Sequence, residues 1–399
     1  MAVARAAATA PNNRQPKRLK DILALDDFDR AARKHLPRMV YGFISGAVET
    51  GAAQRAAAAS YLDYALVPRT FVDVSAREQS ITLFGRTYAL PFGIPPIGGS
   101  AIAAYRGDLV LAEAAARLNQ PMIMSASSLI KLEDVHKQNP AAWFQAYLPG
   151  DNPRIEAMVA RVARAGFETL VITADTPVPG NRENNVRNGY SMPIRITPRV
   201  ALDCALHPRW LLGTIARTFT SVGAPHFENM EADRGPPMFS RDFARNFSAR
   251  DKLSWTHLEL IRRQWKGTLV VKGLLSVDDV RRAREIGADG VILSNHGGRQ
   301  LDHAIAPLRI LPRVKAEVPG LTIMIDGSIR RGTDVLKALA LGAAAVFVGR
   351  PFIYAAAIAG IPGVLHASKL LSDEIDRDMA LLGVTKLAAL SQDHLTFAR

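Results

Sequence analysis

From Pro91 onward the chain alternates two kinds of hydrophobic pattern. Short runs rich in Val, Ile and Phe are followed by Ala-, Leu- and Arg-rich stretches whose apolar positions recur at helical spacing. The short runs, read as strands, are 91–97, 121–125, 142–147, 169–173, 268–272, 290–294, 321–326 and 345–349. Eight strands with helical connections predict an α/β fold, a closed (β/α)8 TIM barrel rather than an open doubly wound sheet. The helices carry punctuation of their own: Ser276 stands at an N-cap position with Asp279 three residues on, and Gly287 ends the repeat after Ile286. Ahead of the barrel, residues 18–59 read as N-terminal helices, with Leu19, Ile22 and Leu23 followed by Met39, Val40, Phe43 and Ile44, closing on Ser45-Gly46-Ala47.

The rhythm fails once. Roughly ninety residues separate the fourth strand from the fifth, and they include Gly235-Pro236-Pro237 and several charged stretches. A connection this long inside a compact domain is a functional lid or a surface insertion, and the lid reading is taken for about 180–255. The expected organisation is therefore one domain over 18–399. Residues 1–17, Ala-rich and mildly basic without the apolar stretch of a secretory signal, are expected to be a disordered tail.

Composition narrows the class. With 48% hydrophobic and 22% charged residues, a chain of 399 residues can bury a core, which excludes general disorder. The single cysteine, Cys204, excludes an internal disulfide, a Cys-based zinc site and a four-thiolate iron–sulfur cluster. No metal is expected, and the compartment reads as reducing and cytoplasmic. The longest apolar run, 353–359 with a Gly/Pro-broken continuation, falls short of the roughly 18 to 20 residues that span a bilayer. The formal charge of +13 favours anionic partners, but no nucleic-acid module or basic–aromatic interleaving accompanies it, so no nucleic acid is expected. If Trp210, Leu211, Leu212 and Arg217 in the long connection are exposed, they would rest on an anionic membrane surface. If not, they form the core of the lid.

In such barrels the chemistry gathers at the C-terminal ends of the strands. Reading only those ends yields Ser125, Gln145 with Tyr147, Thr173 with Asp175, Lys272, Ser294 with His296 and Arg299, Asp326, and Gly349 with Arg350. Scattered surface residues would not respect strand ends over seven successive strands. His296 has the residue type of a general base working near neutrality, and Arg299 offers a planar fork to a carboxylate. The glycines between them let backbone approach a ligand. Asp326-Gly327-Ser328-Ile329-Arg330-Arg331-Gly332 and Val348-Gly349-Arg350-Pro351 follow the last two strands, where barrels hold phosphate on backbone N–H groups and a helix N-terminus. Either loop alone also reads as a plain connecting turn; together they favour a bound phosphate.

Several of these segments carry a resemblance. Asp175-Thr176-Pro177 with Gly180-Asn181-Arg182-Glu183, the run Ser294-Asn295-His296-Gly297-Gly298-Arg299-Gln300-Leu301-Asp302, the Asp326 loop and Gly349-Arg350-Pro351 resemble the FMN-dependent 2-hydroxy acid oxidases and dehydrogenases, which include glycolate oxidase, L-lactate dehydrogenase and mandelate dehydrogenase. The resemblance implies FMN as cofactor and a small 2-hydroxy acid as substrate, oxidised to the 2-oxo acid with electrons passed to a quinone or oxygen. It implies a homotetramer, cytoplasmic or peripheral to the inner membrane. His296 matches the catalytic base, Asp175 the residue that orients it, Arg182 and Arg299 the arginines on the substrate carboxylate, and Tyr147 the tyrosine beside the substrate hydroxyl. FMN contacts are implied for Pro96, Ile97 and Gly98, then Ser125, Gln145 and Thr173. Lys272 matches the lysine beside the flavin N1 and C2 carbonyl. Ser294, Asp326, Gly327, Ser328, Ile329 and Arg330 complete the implied flavin site, with Gly349 and Arg350 on the phosphate.

Two positions bear on specificity. Phe43 stands where the family places a second substrate-binding tyrosine, although Tyr41 is only two residues away. If Phe43 is the match, a donor to the carboxylate is missing, worth roughly 1.5 to 3 kcal/mol for a hydrogen bond to a charged group, and a bulkier 2-hydroxy acid is favoured over lactate or glycolate. Gly98 is the residue of the family's quinone-linked dehydrogenases, where its oxidases carry alanine. Only His35 precedes His136, so no haem domain fits. The alternatives are a different FMN or phosphate-binding barrel, which need not keep Arg182 or His296, and a flavin protein that has lost or changed its substrate through Phe43.

Overall fold

The computed structural model describes residues 16–240 and 250–398; most of the expected N-terminal tail lies outside them. Eight parallel strands form the centre: β1 (Phe92–Gly93), β2 (Ile123–Ser125), β3 (Trp143–Ala146), β4 (Thr169–Thr173), β5 (Thr268–Leu274), β6 (Gly290–Leu293), β7 (Thr322–Asp326) and β8 (Ala345–Phe347). Their order is β1-β8-β7-β6-β5-β4-β3-β2, and a parallel bridge between Ile94 and Met122 closes the ring. Each strand lies on one of the expected runs. β1 is shorter than its run because Pro95 and Pro96 have no N–H to donate.

The continuous apolar runs follow from burial on both faces. Ile123, Trp143, Val171, Val270, Ile292, Met324 and Phe347 fill the barrel. Their neighbours along the strands, such as Phe144, Leu170, Ile172, Val271 and Leu293, point outward beneath the helices. The sequence carries no signal strong enough to predict the plug at the barrel floor. There a hairpin, Ile81–Leu83 with Arg86–Tyr88, turns on Phe84 and Gly85 at φ 52° and 79°. Leu83 and Tyr88 join the interior, and the Trp143 indole donates to the Tyr88 hydroxyl at 3.1 Å.

Residues 18–59 break into three helices, α1 (Leu25–His35), α2 (Arg38–Ser45) and α3 (Ala52–Ala59). The first break is set by Pro37, which holds Leu36 in extended geometry. Outside the strands lie α4 (Gly107–Arg117), α5 (Leu132–Gln138), α6 (Asn152–Arg164), α7 (Trp255–Gln264), α8 (Val277–Glu285), α9 (Pro307–Glu317), α10 (Gly332–Ala340) and α11 (Arg350–Leu382). Ser276 occupies the N-cap of α8 as expected, but its hydroxyl makes no capping bond. Asp278 and Asp279 face the positive end of the helix instead. α11 is long and apolar enough to cross a bilayer, yet it packs inside the fold against α1, α4 and α10 and loses helical geometry at Ala359 and Gly360.

The connection from β4 to β5 holds short helices, among them Glu183–Arg187, Pro198–Ala205 and Pro208–Trp210, the last running into a π-helical stretch, Leu211–Ala216. The surface reading of Trp210 is corrected here. Its indole is buried and donates to the Ile102 carbonyl at 2.8 Å, pinning the connection to the barrel, whereas Leu212 and Arg217 are exposed.

Candidate active site

Strand register places the chemistry on one rim. Ser125 pairs with Gln145 across β2 and β3, Thr173 with Lys272 across β4 and β5, and Asp326 with Phe347 across β7 and β8. On that rim Lys272 is buried, its Nζ 2.7 Å from the Ser294 hydroxyl and 2.8 Å from Asp326 Oδ2. Burial alone would lower its pKa, but Asp326 and Asp175 outweigh that and hold the ammonium charged. Ser125 donates to Gln145 Oε1 at 3.2 Å. Among the buried polar atoms without hydrogen-bond partners here are the donor Gln145 Nε2 and the acceptors Asp326 Oδ1 and Asp175 Oδ2.

Asp175 stands just beyond β4 because β5 makes room for it. The β5–β6 register shifts between Lys272 and Leu274, Gly273 has φ +99°, and a Cβ there would lie 2.6 to 2.9 Å from Asp175 side-chain atoms. His296, Gly297 and Gly298 follow one another in the left-handed region at φ 57°, 65° and 72°, a turn that brings the imidazole over the rim. His296 Nδ1 lies 2.9 Å from Asp175 Oδ1. Burial works to raise the Asp175 pKa, but the imidazole, its hydrogen bond and Lys272 together hold it below the ordinary carboxylate value. Gln300 braces the same corner: it donates to the Asp175 and Val178 carbonyls, each at 3.0 Å, and accepts from Arg182 at 2.8 Å.

Arg182 also donates through Nε to the Arg299 carbonyl at 3.1 Å. Arg299 donates to the carbonyls of Ile44 and Gly46, at 3.2 and 2.8 Å, at the C-terminal end of α2. Burial lowers the pKa of both guanidinium groups, and Arg182 and Arg350 push that of Arg299 down further. These partners are neutral oxygens, so the cluster remains in need of an anion. Arg350, the first residue of α11, faces the cavity. Its guanidinium donates to the carbonyls of Ile44, Gly46 and Gly297 at 2.9 to 3.1 Å, because the end of α2 presents unpaired carbonyls to it. The N-terminus of α11 after Gly349, with Arg350 on it and Gly327, Ser328, Ile329 and Arg330 lining the same cavity, suits a phosphate.

A cavity of about 900 Å³ lies between the rim and the long connection. His296, Arg182, Arg299, Tyr147, Lys272 and Thr173 face it, as do Asp326, the Gly327–Arg330 stretch and Arg350. Pro96, Ile97 and Gly98 line it from the loop after β1, where a Cβ at Gly98 would come within 2.9 Å of Ser127 Cβ. Ser125, Gln145, Ser294 and Asp175 stand behind this lining. Phe43 faces the cavity; Tyr41 does not, its hydroxyl donating to Asp29 at 3.1 Å and its ring stacking on Tyr354. Asp302, the last residue of the His296 motif, is structural: it accepts from Thr50 and from the Ala53 N–H, capping α3, and those bonds hold its carboxyl well below the usual range.

Gln300, Tyr190 and Arg250 are among the lining residues that the strand-end pattern did not single out. Gln300 lay inside a motif already singled out. Tyr190 and Arg250 come from the long connection, where no strand end marks them. The Arg250 guanidinium sits 4.5 Å from the Tyr147 ring centroid, and burial lowers its pKa to about 10.

A family model described as FMN-dependent dehydrogenase matches residues 32–397. The chain belongs to that family and is an FMN-dependent oxidoreductase acting on CH–OH. Among its relatives, (S)-mandelate dehydrogenase of Pseudomonas putida is 35% identical over 377 residues, 94% of each chain. An L-lactate dehydrogenase of Caulobacter vibrioides is 37% identical over 373 residues, 92% of this chain and 95% of the other. The crystal structure of the monotopic membrane protein (S)-mandelate dehydrogenase superposes with a TM-score of 0.87 at 35% identity, covering 95% of this chain and 100% of that one. The rim suits FMN: an orphaned donor and acceptor, a buried cation and a helix N-terminus match the edge of a flavin ring and a phosphate.

Proposed function

We propose that the protein oxidises an (S)-2-hydroxy acid with a bulky, apolar side chain to the 2-oxo acid. The observation that carries this reading is that His296, held by Asp175, opens into the same cavity as Arg182 and Arg299. Arg182 and Arg299 bind the substrate carboxylate, and their shortage of anionic partners favours it. Asp175 keeps the Nδ1 proton in place, leaving Nε2 to take the proton of the substrate hydroxyl, and Tyr147 flanks that hydroxyl. Bound FMN supplies the two-electron acceptor for the substrate's α-hydrogen. Gln145 and Asp326 would offer a donor and an acceptor to the flavin, Lys272 would supply positive charge beside it, and the start of α11 with Arg330 and Arg350 would hold the phosphate.

The apolar wall formed by Phe43, Ile102, Leu129, Met192 and Phe227 supports a substrate larger than lactate. Gly98 supports a quinone as electron acceptor. The long connection serves as a lid, and its exposed Ile196, Leu202, Leu206 and Leu212 beside Arg195, Arg199 and Arg209 support contact with the cytoplasmic face of a membrane. The assembly is a homotetramer, as the family resemblance implies. Anaerobic mixing of the FMN-loaded protein with both enantiomers of mandelate and lactate, followed by reoxidation with a soluble quinone or oxygen, tests this. The expected result is fastest bleaching by (S)-mandelate and fastest recovery with quinone. A flavin that none of these acids reduces would favour the changed-substrate reading of Phe43.

A further inference from the structure

Phe43 does not stand alone at the substrate end of the cavity. Its ring stacks on that of Tyr190, with centroids 4.3 Å apart and planes 18° apart, and the Arg299 guanidinium lies 5.2 Å from the Phe43 centroid. The two rings come from segments tied together by backbone contacts. Asn184 donates through its side chain to the Gly42 carbonyl at 2.7 Å. A Cβ at Gly42 would fall 2.7 to 3.0 Å from Asn188 side-chain atoms, so glycine permits this close approach. Gly189, at φ +79°, turns the chain back, and the Tyr190 N–H donates to the Asn185 carbonyl at 2.8 Å. The stack is thus fixed from both sides.

Tyr190 is buried and lines the cavity with Arg182 and Arg299. Burial raises the pKa of its hydroxyl, the two arginines act against that rise, and the net effect keeps the group a protonated donor at neutral pH. A buried tyrosine hydroxyl ordinarily finds a partner. Here the groups that act on it are two cations, which cannot accept a hydrogen bond. A carboxylate between the arginines would supply the acceptor.

The geometry points to Tyr190 as a substrate-binding residue: its hydroxyl, carried on the ring stacked against Phe43, donates to the substrate carboxylate beside Arg182 and Arg299, in place of the hydroxyl that Phe43 lacks. This assignment rests on the 2-hydroxy acid reading of the site. It also changes what Phe43 means. The carboxylate keeps a tyrosine donor, delivered from the long connection instead of α2, and the Phe43 ring is left as an apolar surface for the substrate side chain.

The test moves the hydroxyl across the stack. Tyr190→Phe, Phe43→Tyr and the double variant, each loaded with FMN, are titrated with oxalate, which binds through its carboxylates without turnover, and binding is followed by the change in flavin absorbance. Loss of one hydrogen bond to a charged group predicts a rise in Kd of about ten-fold or more for Tyr190→Phe. The double variant should recover most of that loss, and Phe43→Tyr alone should gain less than it gains in the Tyr190→Phe background. Unchanged oxalate binding in Tyr190→Phe overturns the assignment. A loss that Phe43→Tyr does not recover also overturns it, since it assigns the ring to packing. A Tyr190-dependent oxalate site in a protein whose flavin no 2-hydroxy acid reduces overturns the oxidation reading alone. Wild-type protein that does not bind oxalate overturns both.

Discussion

Replacing Asp175 with asparagine keeps the size of the side chain and a hydrogen bond to His296 but reverses the position of the proton. The carboxylate can only accept, so the 2.9 Å contact requires the proton on Nδ1 and leaves the Nε2 lone pair to the cavity. An amide NH2 in its place can donate to Nδ1, which favours the tautomer protonated at Nε2, and that tautomer cannot take a proton from a hydroxyl. The wild-type carboxylate stays charged at working pH, because the imidazole, its hydrogen bond and Lys272 overcome burial and hold its pKa below 3.8. Its contribution is therefore present above the ordinary carboxylate range and lost only as pH falls through the lowered value. A positioned base contributes about 10²- to 10⁴-fold, or roughly 2.7 to 5.4 kcal/mol of barrier, which bounds the loss. We expect Asp175→Asn to slow flavin reduction about 10²-fold or more, approaching His296→Ala. The double variant should be little worse than the slower single one, because both changes remove the same function. The assay is anaerobic stopped-flow reduction by saturating (S)-mandelate, with FMN content measured for each protein. Reduction of Asp175→Asn within a few-fold of wild type would refute the tautomer argument.

Lys272→Met strips the buried Asp326 carboxylate of its ion-pair partner, and should cost about 3 to 5 kcal/mol in urea unfolding while slowing flavin reduction; unchanged stability would contradict the pairing. Gly98→Ala drives a Cβ to within 2.9 Å of Ser127 Cβ and should destabilise the holoprotein by about 1 to 3 kcal/mol, read as a lower Tm. An unchanged Tm would mean that this loop yields freely. Asp108, buried at the start of α4 with one carboxyl oxygen lacking a partner, is pushed up to about 6 by burial. The folded state resists its ionisation, so its stability contribution declines as pH rises from 3.8 toward 6 and stays lower above, by on the order of 3 kcal/mol. Asp108→Asn should therefore exceed wild type in unfolding free energy at pH 7.5 and lose that advantage at pH 4; a gap independent of pH would show that Asp108 is not the titrating group.

The barrel was legible because strands buried on both faces read as continuous apolar runs, and because a polar residue at the end of such a run has few roles other than facing the rim. His296, Lys272 and Asp326 were found in this way, and the structure sets them over one cavity. Residues whose place depends on long-range packing were not legible. Tyr190 and Arg250 sit in a connection without periodic pattern, and only its folding across the rim brings them to the cavity. The plug at 81–88 is two three-residue strands, too short for alternation to register. Trp210 read equally well as membrane contact or core until the Ile102 carbonyl settled its direction. Arg350 follows a phosphate-loop pattern, but its bonds to the carbonyls ending α2, contributed from some three hundred residues away in sequence, had no sequence signal.

The chemistry at this cavity comes down to removing two electrons from a 2-hydroxy acid and delivering them to FMN. An anaerobic single turnover measures this directly: FMN-loaded protein is mixed with excess (S)-mandelate, the loss of flavin absorbance is recorded, and the 2-oxo acid formed is quantified. The expected result is complete bleaching with one 2-oxo acid per FMN, and neither product nor bleaching on the same timescale for His296→Ala. Bleaching without a matching 2-oxo acid, or equal product from His296→Ala, would contradict it.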